Sequence, residues 1–402
     1  MSARSAFAPG VRARFTWAYL AVFLPVAVAT PYLQVLLQIR GFDRQTIGSI
    51  QGMLEVMAVL APPVWGWLSD RFGRPRTFLA LGAVASAPAF WLFGIVPTAM
   101  TAMAAAVLFG FCCRPQVPLA DGIAFRHIGH SGGDYGVVRI GGSISFIAVT
   151  LLLEWLGVAR SQTGGLILVA FGVACALLAA STALLPAPEA GTQASHAHWN
   201  QGWPEARKAF LSRPFIVFTL CAFLSRLAMT AYYGFFSLYL REVHHFPQAG
   251  LIWMIGPLSE IPMIYFSRRI MDRIGVRNLM ALGLLGCVVR LAGFAVAPGI
   301  MAVIALQFLH ALTFGAYHTA SVTQVARSVP AHLQGTAQTV FAALTTGAGG
   351  LLGGVLGGAV CERFGFTTLY ASAAAVGLAG LLILLAAMPS PDSRNVADVA
   401  RV

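Results

Sequence analysis

Charged side chains are scarce in this sequence. They make up only 10% of its 402 residues, while hydrophobic residues reach 58%. An average soluble domain carries about 25% charged residues, so a surface facing water on all sides is excluded and most of this surface must face lipid. The ten-residue alternation of a membrane barrel is missing, which leaves helices as the spanning element. No serine–histidine–acid grouping, zinc-ligand spacing or phosphate loop is present, so the sequence offers no enzyme chemistry, no metal centre and no cofactor site. Cysteine is sparse too. Cys112, Cys113, Cys175, Cys221, Cys287 and Cys361 lie within or at the ends of apolar runs, without metal-ligand spacing. They read as small apolar residues, and no disulfide framework follows.

What the chain has in quantity is apolar runs of spanning length. About 20 residues at 1.5 Å each cross the hydrocarbon layer, and twelve such runs can be read: 15–37, 46–68, 77–96, 99–124, 136–158, 163–185, 214–240, 249–267, 278–297, 300–326, 334–360 and 366–388. The first is too long for a signal-peptide core and lacks an evident cleavage site, so it is expected to remain as helix 1. The only long hydrophilic interruption is 186–213, rich in Pro, Ala, Ser, His and charge, which suits a flexible connector. The expected organisation is therefore a six-helix bundle over 1–185, a cytoplasmic linker over 186–213, a second six-helix bundle over 214–388 and a polar tail over 389–402.

The formal net charge of +12 invites a nucleic-acid reading, but its distribution argues against one. With the N-terminus inside, inner segments hold 17 of the 26 basic residues and outer loops only five, Arg40, Arg44, Arg160, Arg241 and Arg363. This bias is the positive-inside rule, and it predicts both termini in the cytoplasm. The expected partners are membrane lipids and a small-molecule substrate, with no nucleic acid, and the expected oligomeric state is a monomer.

A short charged loop follows the second run: Gly66-Trp67-Leu68-Ser69-Asp70-Arg71-Phe72-Gly73-Arg74-Pro75-Arg76. It returns in reduced form as Asp272-Arg273-Ile274-Gly275-Val276-Arg277, 202 positions later. Gly48 and Gly250 repeat at the same offset. A charged loop repeated half a chain later implies two homologous halves. Asp70, at a helix end, can gain from the free N–H groups and dipole of a neighbouring helix N-terminus, and Gly66 and Gly73 suit tight packing and a sharp turn. Glycines at 347, 349, 350, 353, 354, 357 and 358, with Gly141 and Gly142, allow close helix approach; they fit either plain packing or sliding surfaces.

Ionisable residues at bilayer depth are costly and mark functional sites by default. The acids are Glu55, Asp121 and Glu260; the bases are Arg114, Arg139, Arg226 and Arg290; His310 and His318 share a span. Glu154 lies nearer a span end and reads as interfacial. Arg226, Arg290 and Glu260 fall about 12–18 Å into their spans at 1.5 Å per residue, near the midplane where transporter sites gather. Four arginines face three acids, an excess that an anion would balance, and arginine grips carboxylates bidentately. Asp121 and Arg139 could instead form a structural pair. Glu260 is the first candidate for a coupled proton, with Arg290 as the charge that discharges it, and His310 the second. Tyr232 and Tyr233, within two turns of Arg226, are the best candidates to line a pocket for an aromatic ring, together with Glu55 and Arg114 as substrate contacts.

The loop over Gly66–Arg76 resembles the helix 2–3 loop of the major facilitator superfamily. The strings Pro118-Leu119-Ala120-Asp121, Tyr135-Gly136-Val137-Val138-Arg139-Ile140-Gly141-Gly142-Ser143-Ile144, Leu309 to His318 and Leu333 to Gln338 resemble its phenylpropionic-acid-permease-like branch, a relative of lactose permease and nucleoside:proton symporters. The resemblance implies an all-α membrane protein of twelve helices in two bundles. It implies a latch at Gly66, Asp70, Arg71, Gly73 and Arg74, echoed at Asp272, Arg273 and Gly275, with Asp121 and Arg139 as the branch's structural acid and arginine. It also matches Glu260, Arg290 and His310 to the branch's charged C-terminal half. The implied activity is proton-coupled symport of a small organic anion, such as an aromatic carboxylate, across a bacterial inner membrane, with the proton as the sole coupling species. Import of a sugar or nucleoside is the nearest alternative. Efflux by antiport fits less well, because Gly141-Gly142 is followed by Ser-Ile-Ser-Phe rather than a Gly-Pro pattern. A non-transporting sensor has no soluble domain to carry a signal.

Overall fold

A computed structural model describes residues 9–128, 133–160, 163–185, 207–208, 210–329 and 334–388; the side chains of 9–12, 125–128, 133–139, 159, 264, 268 and 335 lie outside the described set. Most of the linker and the tail read from sequence therefore also lie outside it. The described residues contain helices and turns and no strand. Ten helical stretches are long and apolar enough to cross a membrane. Two more of the expected spans coincide with the shorter apolar helix Ile140–Trp155 and with the stretch beyond Gly365, where φ of 78° breaks a 52-residue helical run.

By internal contacts the chain forms two units. The first comprises Met1–Ser195 with His245–Met254, the second His196–His244 with Ile255–Val402. In the first lie α1 (Pro9–Ile39), α2 (Arg44–Phe72), α3 (Pro75–Trp91), α4 (Ala99–Cys113), α5 (Gln116–Ile128), α6 (Gly133–Trp155) and α7 (Gly165–Ser181). The second begins with α8 (Arg213–Glu242). The short α9 (Ala249–Trp253) belongs to the first unit. Then follow α10 (Ile255–Val296, broken at Gly275), α11 (Ile300–Gln307), α12 (Tyr317–Ser328), α13 (Gln334–Ala342) and α14 (Gly350–Ala387). Ala311–Ala316 and Ala343–Gly349 are π-helical turns.

Each unit has its own apolar core. Phe15, Tyr19, Trp65, Leu79, Ile123 and Leu178 pack in the first, and Phe218, Leu279, Leu284, Ala320, Val325 and Leu384 in the second. Large apolar side chains also point outward, among them Trp155, Met301, Val296 and Leu382, as expected of helices whose solvent is lipid rather than water. The six cysteines are free thiols, five of them buried, in keeping with their reading as small apolar residues.

The repeated loop turns on a glycine of positive φ in both units. Gly73 ends α2 in the left-handed conformation, φ 63°, with its N–H donated to the Asp70 carbonyl. Gly275 turns the corresponding corner at φ 79°. Beyond each turn the last arginine of the motif reaches a distant helix end. Arg76 Nη1 donates to the Leu185 carbonyl, and Arg277 Nη2 donates to the Leu385 carbonyl at 2.8 Å. A guanidinium at a helix C-terminus meets unpaired carbonyls and the negative end of the dipole. This matched pair of caps had no counterpart in the sequence reading. Gly66, by contrast, has open space around it, so the tight packing expected there is not what this glycine does within the structure.

Glycines expected at helix interfaces do act there. A Cβ at Gly353 would lie 2.8 Å from the Leu227 carbonyl and from Thr230, and one at Gly142 would lie 2.6 Å from the Phe23 ring. These contacts let α14 seat on α8 and α6 on α1, which favours the packing reading.

Candidate functional site

The second unit gathers polar groups around α10, and the sequence explains how they meet. His310 caps the start of the π turn Ala311–Ala316. A π turn inserts an extra residue, and such turns recur at functional sites. Opposite His310, Gly256 sits one turn before Glu260 on α10. A Cβ there would lie 2.9 Å from the His310 ring, so the glycine is what lets the imidazole approach this helix. His310 Nε2 then lies 2.6 Å from Glu260 Oε1.

The other imidazole nitrogen, Nδ1, is 2.9 Å from Arg290 Nη1. Arginine only donates, so Nδ1 accepts and Nε2 carries the hydrogen donated to Glu260. This fixes the tautomer of a neutral histidine. Arg290 is fully buried. It also donates to Thr313 Oγ1 at 3.1 Å and to Gln307 Oε1 at 2.7 Å, and its Cζ lies 3.9 Å from the Tyr232 ring centroid. Gln307 Nε2 donates in turn to Tyr232 Oη at 2.8 Å. The result is a linear relay: carboxylate, imidazole, guanidinium, amide, phenol.

A cavity of about 110 Å³ adjoins this relay within the same unit. Arg226, Tyr233, Thr313, Phe314, His318 and Thr345 contribute to its lining. Arg226 Cζ lies 5.1 Å from the Tyr233 ring centroid, and the Tyr233 ring lies 6.4 Å from that of His310. Thr313 belongs to both assemblies, accepting from Arg290 on one side and facing the cavity on the other. Both π turns contribute walls, Thr313 from one and Thr345 from the other.

The structure places the residues read from sequence as follows. Arg290 and Tyr232, expected at the substrate, are buried behind the cavity, while Arg226 and Tyr233 do line it. Arg290 reaches Glu260 through His310 rather than directly. His318, ranked below His310, faces the cavity. Gln307, Thr313, Ser225, Tyr317, Ser321 and Thr345 were not singled out, because neutral polar residues are common in apolar helices and carry no signal alone. The π periodicity that aligns several of them is a product of packing.

In the first unit, Glu55 Oε1 lies 3.5 Å from Arg114 Nη2 and accepts from Gln51 Nε2 at 3.1 Å. These two expected substrate contacts form a pair with each other. Asp121 accepts from Tyr19 Oη at 2.5 Å. The Arg139 side chain, its expected partner, lies outside the described residues. Asp70, Arg71, Arg74, Asp272 and Arg273 are exposed around the two loops.

Comparison with known proteins agrees with this architecture. The model of the MFS_1 like family matches residues 13–372. The chain is 26% identical to the maltose permease of Geobacillus stearothermophilus over 95% of its length and 96% of that protein. It is 28% identical to the probable 3-phenylpropionic acid transporter of Escherichia coli strain K12, over 77% of this chain and 80% of that one. Among solved structures, a mutant of the nucleoside transporter NupG superposes with a TM-score of 0.84 at 19% identity, covering 94% of this chain and 100% of that one. At such identity the likeness speaks for the fold.

Proposed function

The chain belongs to the MFS_1 like family and is an integral membrane secondary transporter, and from that premise we propose that it couples a proton to the movement of a small organic anion, such as an aromatic carboxylate. The observation that carries the reading is the Glu260–His310–Arg290 relay standing against a cavity lined by Arg226.

Charge balance supplies the coupling. Arg226, Arg290 and ionised Glu260 together carry one net positive charge. A proton on Glu260 adds one, and a bound carboxylate removes one. The empty and doubly loaded sites then carry the same charge, whereas loading either ligand alone changes it in a medium where charge is costly. Arg226 offers a bidentate donor for the carboxylate, and the Tyr233, Phe314 and Phe341 side chains line the cavity beside it as apolar surface for an aromatic body. A relative named as a probable 3-phenylpropionic acid transporter is consistent with that cargo. Import by alternating access across a bacterial inner membrane completes the proposal.

One observation favours a second reading. Ser225, Ser321, Thr345 and Thr346 put hydroxyls around the cavity, which suits a sugar or nucleoside. Uptake of labelled 3-phenylpropionate, maltose and uridine into proteoliposomes under an imposed pH gradient separates the two. The anion reading expects gradient-driven carboxylate uptake that Arg226→Gln abolishes. Uptake indifferent to both the gradient and an uncoupler sinks symport, and maltose or uridine uptake unaffected by Arg226→Gln replaces the anion with a neutral cargo.

A further inference from the structure

Glu154, an acid of the first unit, stands apart from the relay. Glu154, in the last turn of α6, accepts two hydrogen bonds on a single oxygen. Tyr32 Oη on α1 donates to Oε1 at 2.8 Å, and the backbone N–H of Gly250 on α9 donates to the same atom at 2.8 Å. The other oxygen, Oε2, is buried without a hydrogen-bond partner. The fit is close: a Cβ at residue 250 would come 2.4 Å from Tyr32 Oη and 2.6 Å from Glu154 Oε1. Glycine at 250 therefore has a local reason beyond its echo of Gly48.

The segment held there is unusual in its connectivity. His245–Met254 packs as part of the first unit, although the chain on both sides of it belongs to the second. The chain enters the segment through His245 at φ 51°, the one non-glycine residue with positive φ among those described. A side-chain-bearing residue in that region is kept there by surrounding contacts. Ala249, Gly250, Ile252 and Trp253 are all buried. Ten residues are thus strapped to the first unit, and Glu154 supplies the polar clasp.

An anionic oxygen buried without a donor is among the costliest arrangements a protein can hold. Adding a proton at Oε2 removes the charge and leaves both bonds at Oε1 in place. Tyr32 cannot relieve Oε2, because its single hydrogen already goes to Oε1. No side chain of α9 is ionisable. Arg160, on the short helix after α6, is a charged neighbour of Glu154. We propose that Glu154 is a proton-binding site that clasps the His245–Met254 strap to the first unit. With the proton bound, the strap is held; with the proton lost, the carboxylate draws in water and the strap lifts. The strap continues into the second unit at both ends. The proposal is independent of the Glu260–His310 reading.

Hydrogen exchange of the 248–254 amides in full-length protein in lipid nanodiscs, corrected for intrinsic rates and followed across pH, tests it. Between the pH at which Glu154 titrates with the strap lifted and the higher pH at which it titrates with the strap held, wild-type protection should fall about tenfold per pH unit, the slope of one linked proton. Glu154→Gln retains the acceptor and removes the titration, so its protection should stay high and flat. Glu154→Ala should be flat and low. A flat wild-type profile, a sloping Glu154→Gln profile, or Glu154→Gln as exposed as Glu154→Ala would overturn the assignment. The wild-type profile decides the matter even where a variant folds poorly.

Discussion

Arg290 donates only to neutral acceptors, His310, Thr313 and Gln307, while the acid that balances it stands one imidazole away. Removing the guanidinium strands Glu260 and three oriented dipoles in a buried site. Arg290→Ala should therefore cost about 3–5 kcal/mol, the range for breaking a buried charge set, visible as a lower melting temperature in detergent. It should also end uptake against a gradient. Tyr232→Phe isolates a smaller term, because the ring stays under Arg290 and the bond from Gln307 is lost. A cost of about 1 kcal/mol is expected, with uptake retained, and transport lost in Tyr232→Phe would show that the phenol itself is required. At this scale the sequence was informative about the ionisable residues and the Tyr232–Tyr233 pair. Glu260, Arg290 and His310 stood out because charge in an apolar span is costly. Their order did not, since nothing in the spacing says which nitrogen of His310 meets which neighbour.

Helices in both units depend on positions where a side chain is missing. Gly256 admits His310 to α10, and Gly353 admits the Leu227 carbonyl and Thr230 to α14. Gly353→Ala forces a Cβ to 2.8 Å from backbone and should destabilise by about 1–3 kcal/mol as overpacking does. Gly66→Ala, where space is open, should leave stability nearly unchanged; melting of the two variants side by side checks the contrast. The arginine caps offer a second comparison. Arg76→Ala and Arg277→Ala each remove a charged donor from a helix-end carbonyl, and each should cost about 1 kcal/mol. The two carbonyls belong to different units, so the double variant should show the sum of the single effects. Glycine spacing pointed to close packing in advance. The π turns at Ala311–Ala316 and Ala343–Gly349 did not show, because a bulge depends on what packs against the helix rather than on its own residues.

For the whole molecule, the lopsided distribution of arginine predicts an orientation. Reporter fusions at both ends of the chain should be active only in their cytoplasmic form, and moving two arginines from the 71–76 loop to the 160–163 loop should weaken that preference. The sequence by itself determined the class: too few charges for water, apolar runs of membrane length, and a loop repeated 202 residues on, which together call for helices in two related halves. Those features are local or periodic, so they can be read from a string. The tertiary structure decided the rest. It threaded His310 between Glu260 and Arg290, hid Arg290 and Tyr232 behind a cavity that Arg226 and Tyr233 line, and packed His245–Met254 with the first unit rather than with its sequence neighbours. Each of these depends on which helix faces meet, and that is fixed by packing between residues far apart in the chain.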